Sequence, residues 1–87
     1  MFNSATRSHP AIDADEIHRH AYNTAFSDLG LRWHWDADTY RDLLRISGEK
    51  DRIRVYLETR QPHLLKAYDA EFLSEVIQST KARRYDT

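Results

Sequence analysis

Apolar residues recur along this chain at intervals of three and four, the period of a helix buried on one side. In the first half, Ile17, Ala21, Tyr22, Ala25, Phe26 and Leu29 follow spacings of 4, 1, 3, 1 and 3. This run predicts a helix that starts near Asp13 or Asp15, either of which can cap free N–H groups, and stops at Gly30. Residues 31–35 form a short aromatic connection. A second helix is expected from about Asp36 or Asp38 to Ile46, burying Tyr40, Leu43 and Leu44. Ser47-Gly48 breaks it, and a third helix to about Glu58 carries Ile53, Tyr56 and Leu57 on one side. Gln61-Pro62 interrupts again. Pro62 suits the first turn of a short helix over residues 63–68. The last helix is expected from Asp69 to Arg84, with Phe72, Leu73, Val76 and Ile77 inward and Lys81, Arg83 and Arg84 near its negative end. The expected core is Tyr22, Phe26, Leu43, Leu44, Leu57, Phe72 and Val76.

Four main helices with short links imply antiparallel neighbours, so the fold class is all-α, a small four-helix bundle. Two glycines and two prolines among 87 residues argue the same way, against a turn-rich β fold. Residues 1–12 are small, polar and aperiodic and read as a flexible N-terminal tail; residues 13–87 form the helical domain. At this length one modest core is all the chain can build.

Charge and composition narrow the partners. A net charge of −1 supplies no electrostatic attraction for nucleic acid or for an anionic membrane. No cysteine is present, so disulfides, thiolate metal sites and thiol nucleophiles are excluded. No run approaches the roughly 18 apolar residues of a membrane span, and no signal-peptide pattern opens the chain. A soluble cytoplasmic protein is the expectation.

Five histidines invite a metal hypothesis. His18 and His20 are two apart on a helix and point to different sides, whereas a helical ligand pair needs a spacing of three or four. No metal site is expected. Asp13-Ala14-Asp15 looks like paired acid/base carboxylates, but no strand-like run precedes it, and helix capping accounts for it better. Ser47-Gly48-Glu49-Lys50-Asp51-Arg52 is the stronger candidate: a helix start with free N–H groups and two cations suits phosphate, and it also fits an ordinary solvated helix start.

Glu16-Ile17-His18-Arg19, Ala21-Tyr22-Asn23, Gly30-Leu31, Trp33-His34-Trp35 and Lys50-Asp51-Arg52-Ile53 occur in one order with one set of gaps. Together they resemble the helical cap of haloacid-dehalogenase-like (HAD) phosphatases, in the beta-phosphoglucomutase-like branch that includes the CbbY phosphatases. Thr80-Lys81-Ala82-Arg83-Arg84-Tyr85 resembles a Lys-Thr-x-x-Tyr stretch late in that cap. Complete members act on phosphosugars with Mg²⁺ through an Asp-x-Asp-Gly-Thr motif. The matching positions here read Thr6-Arg7-Ser8-His9-Pro10. The resemblance therefore implies a truncated or degenerate relative with no catalytic residues and no cofactor of its own. It implies a vestigial phosphosugar contact at His18, Lys50 and Arg52, weakened by Glu49 where the family has glycine. A helical module that binds another protein through the exposed cap face is the alternative.

Overall fold

In the computed structural model, which describes residues 10–86 and the side chains of residues 14–84, helix α1 spans Pro10–Asp28. It begins ahead of both Asp13 and Asp15. Proline is well suited to a first helical turn because its missing N–H has no intrahelical partner to lose. The two aspartates therefore lie inside the helix rather than at its cap, and the part of the expected tail at residues 1–9 lies outside the described residues. Gly30, at φ 75°, ends the helix: the Leu31 N–H donates to the Phe26 carbonyl at 2.8 Å and the Gly30 N–H to the Ser27 carbonyl at 3.0 Å. That reversed pair of bonds needs a left-handed residue, which glycine adopts without steric cost.

Helix α2 (Ala37–Leu43) is capped by Asp36, whose Oδ1 accepts the Thr39 N–H at 2.8 Å. This hydrogen bond holds the Asp36 carboxyl below its ordinary range. Helix α2 stops short of the expected Ile46, in a turn where the Ile46 N–H donates to the Leu43 carbonyl. Gly48, at φ 87°, then opens α3 (Glu49–Arg60). A 3-10 helix, Pro62–Lys66, follows, and α4 (Ala70–Asp86) starts where an Asp69 carboxylate oxygen accepts the Phe72 N–H at 3.1 Å. Among the described residues there is no strand, and the chain is an all-α bundle. None of these helices is long and apolar enough to cross a membrane.

Helix α4 packs along both α1 and α3, and α2 lies against α1. The centre of the core is aromatic. Trp35 is fully buried, with ring centroids 4.9 Å from Tyr22, 4.9 Å from Phe26 and 5.3 Å from Tyr56. These tilted and edge-on contacts suit the ring quadrupoles and add to the area that Trp35 removes from water. The segment that carries Trp35 is not helical, so its backbone needs other partners. Asn23 supplies both: its Oδ1 accepts the Trp35 N–H at 2.8 Å and its Nδ2 donates to the Trp35 carbonyl at 3.0 Å. Arg19 donates to the same carbonyl at 3.0 Å while its guanidinium is held by Glu16. Asn23 thus acts as one rung of a ladder between α1 and the aromatic connection.

The expected core is corrected at one residue and softened at two. Tyr22, Phe26, Leu43 and Leu57 are buried, and Leu44 and Val76 are partly so, but Phe72 is 56% exposed. Ile17, counted on the inner face of α1, is likewise exposed. On α1 the rest of the expected stripe is buried at Ala21, Tyr22, Ala25 and Phe26, whereas on α4 the inward stripe is Leu73, Ile77 and Lys81 and excludes Phe72. One residue turns a helix by about 100°, enough to move a side chain from core to solvent.

Candidate functional site

The most concentrated polar chemistry lies where α1, α3 and α4 meet. His18 and Tyr22 are four apart on α1, and Gln78 and Lys81 three apart on α4, so each pair shares a helix face. Glu49, the first residue of α3, points between them. The Lys81 ammonium, on a side chain only 5% exposed, lies 3.0 Å from His18 Nδ1 and 3.3 Å from Glu49 Oε2. Gln78 donates to Glu49 Oε1 and accepts the Tyr22 hydroxyl at 3.3 Å. Lys81 also stands 5.1 Å above the Tyr22 ring, within cation–π range.

The electrostatics follow from burial. Burial alone would raise the Glu49 carboxyl, but the Gln78 hydrogen bond and the Lys81 charge outweigh it and hold it below its ordinary value of 4.5. The same burial, with the Glu49 charge added, pushes the Tyr22 phenol up, so it stays protonated and able to donate. Glu49 also sits in the first turn of α3, where the positive end of the helix dipole favours a carboxylate. The cluster is a compensated ion pair in a hydrogen-bonded setting, joining three helices.

The three residues singled out from the sequence are placed apart. His18 lies in this cluster. Lys50 points to α4 and donates to Glu71 at 3.0 Å and Glu75 at 3.2 Å, which raise its pKa. Arg52 donates its Nε to the Ile46 carbonyl at 2.7 Å and so clamps the turn between α2 and α3. Glu49 does not stand over the helix start as a charge facing a phosphate; it is turned inward and neutralised by Lys81. Sequence reasoning missed Lys81 and Gln78, assigning Lys81 to the helix dipole. Two signals pointed to Lys81: it continues the four-residue stripe of Leu73 and Ile77, and it lies in the Thr80–Tyr85 stretch that resembles the family's Lys-Thr-x-x-Tyr.

The magnesium used by intact HAD phosphatases does not fit the residues described here. A hard cation needs several converging oxygen ligands. Glu16, Asp28, Asp51 and Glu49 instead face separate cations, Arg19, Arg84, Arg54 and Lys81, and the one pair that converges, Glu71 with Glu75, does so on the Lys50 ammonium. Among the described residues no three His, Asp or Glu side chains are grouped as metal ligands.

Comparison with known proteins supports the resemblance. Over 73 residues, 84% of this chain, the sequence is 33% identical to the plasmid-encoded Protein CbbY of Cupriavidus necator, of which the match covers 29%. It is 44% identical over 45 residues to Protein CbbY of Cereibacter sphaeroides, covering 52% of this chain and 20% of that protein. A CBBY-like protein of Arabidopsis thaliana is 41% identical over 39 residues, 45% of this chain and 12% of its own length. The chain thus spans less than a third of the length of the curated relatives it matches. No family model matches it, and no solved structure gives a significant match.

Proposed function

Starting from its kinship with the CbbY proteins, we propose that this chain is the helical cap element of a HAD-like phosphosugar phosphatase relative. In this reading it contacts a phosphorylated sugar weakly and performs no catalysis by itself. The observation that carries the proposal is the match with CbbY over 84% of the chain, coincident with an all-helical bundle. The positions that would hold the Asp-x-Asp-Gly-Thr motif read Thr6 to Pro10, and the nearby Asp13 and Asp15 lie within α1.

The phosphate contact is assigned to Lys50 at the start of α3, with His18 and Arg52 as the further residues the resemblance implies. Lys50 is 42% exposed and already shared by two glutamates, so an incoming phosphate competes with carboxylates for one ammonium. Binding no tighter than millimolar is expected, on the order of −4 kcal/mol. The test is an NMR titration of the full chain with a phosphorylated sugar and Mg²⁺, with inorganic phosphate release followed in parallel. Saturable shifts over residues 48–53 that weaken in Lys50→Ala, without turnover, support the reading. Phosphate release that is lost in Asp13→Ala or Asp15→Ala overturns it.

A second reading, a helical protein-interaction module, is favoured by one feature: Phe72 and Tyr68 are each at least half exposed on one side of the bundle.

A further inference from the structure

The side of α4 turned away from the core carries Phe72, Val76, Ser79 and Arg83, spaced by four, three and four residues and therefore aligned in one stripe. With Leu29 at the end of α1 they border a groove of about 340 Å³. Past Leu29 and Val76 the surface continues as an apolar hollow walled by Leu31, Leu64 and Tyr68. Charge is unevenly spread along the stripe. At the Phe72 end, Glu71 and Glu75 share the single ammonium of Lys50, which leaves one negative charge in excess. At the other end the Arg83 and Arg84 guanidiniums share the Asp28 carboxylate, which leaves one positive charge in excess.

We propose that this face is a self-association surface, on which α4 of a second copy of this chain lies antiparallel. The stripe has its midpoint between Ile77 and Gln78. A two-fold axis there sets Phe72 against the second copy's Arg83 and Val76 against its Ser79. Arg83 then covers the Phe72 ring and reaches Glu75 one turn away, twice over by symmetry. The small Ser79 opposite Val76 lets the helices approach closely. A parallel arrangement would instead stack the acidic end on itself. One helix face with Leu29 is small beside the roughly 1,200 Å² of a stable interface, so association is weak and concentration-dependent.

The experiment is sedimentation velocity on the full chain from micromolar to millimolar concentration. Mass should rise from monomer towards dimer, while Phe72→Glu stays monomeric; Phe72 is exposed, so its loss leaves the fold intact. Glu75→Arg and Arg83→Glu should each weaken association about tenfold. An equimolar mixture of these two should associate again, because every cross-pair in the mixed dimer is of opposite sign. Amide shifts of the unaltered chain should move with concentration around residues 72–83, which needs no variant. Monomer mass at all concentrations, unchanged association of Phe72→Glu, or a mixture no stronger than its components would each overturn the proposal.

Discussion

Removing the Glu49 carboxylate tests the polar cluster most directly. In Glu49→Ala the Lys81 ammonium stays buried and loses the Glu49 charge, while the His18 nitrogen at 3.0 Å and the Tyr22 face remain beside it. Breaking a fully buried pair costs about 3–5 kcal/mol. Here the Lys81 side chain is 5% exposed but that of Glu49 is 34%, so water can enter on the carboxylate side. The expected cost is therefore about half as large, roughly 1.5–3 kcal/mol. In the double variant Glu49→Gln with Lys81→Met, both charges are removed and the Met stem refills the space of the lysine stem. Its stability should return to within about 1 kcal/mol of the parent, because desolvation of the pair is no longer incurred. Urea unfolding of the parent, Glu49→Gln, Lys81→Met and their double variant closes the cycle, with Glu49→Ala measured beside it. Single variants that each lose less than about 0.5 kcal/mol, with additive effects in the double, would show that the pair does not couple α3 to α4.

Trp35→Ala should cost about 3–5 kcal/mol and remove most of the cooperative thermal transition, since no other side chain touches so much of the aromatic core; near-UV circular dichroism, dominated by the packed rings, checks it. Asn23→Ala leaves the Trp35 N–H without its acceptor at a cost of about 1–3 kcal/mol, and hydrogen exchange at Trp35 should speed up relative to α4 amides. The Glu49 carboxyl titrates below 4.5 in the folded chain, so its contribution is complete above that pH and is lost as pH falls through the folded value. Urea midpoints should thus fall on acidification below about pH 4.5, and less steeply in Glu49→Gln; equal slopes would place the acid sensitivity in other carboxylates.

How much was legible in the sequence depends on the range of the interactions involved. Helix existence, the stop at Gly30 and the starts of the second and last helices near Asp36 and Asp69 are short-range matters of period, left-handed glycine and side-chain oxygen next to free N–H groups, and the chain alone determined them; the cap expected at Asp13 or Asp15 and the second helix's reach to Ile46 did not hold. The kinship with CbbY proteins was legible for the same reason: it rests on residue order. Which of two adjacent stripes of α4 faces inward was not. Phe72 with Val76 and Leu73 with Ile77 are both apolar pairs four residues apart, and only packing against α1 and α3 selects the second. Burying the second pair carries Lys81 inward and leaves Phe72 outside. An inward lysine is tolerable only because His18 from α1 and Glu49 from α3 arrive to meet it. Those three residues are separated by more than thirty positions in the chain, at His18, Glu49 and Lys81. Local sequence therefore assigned Lys81 to the helix end and Glu49 to the surface, and tertiary structure joined them because a buried charge must be paired where the helices meet.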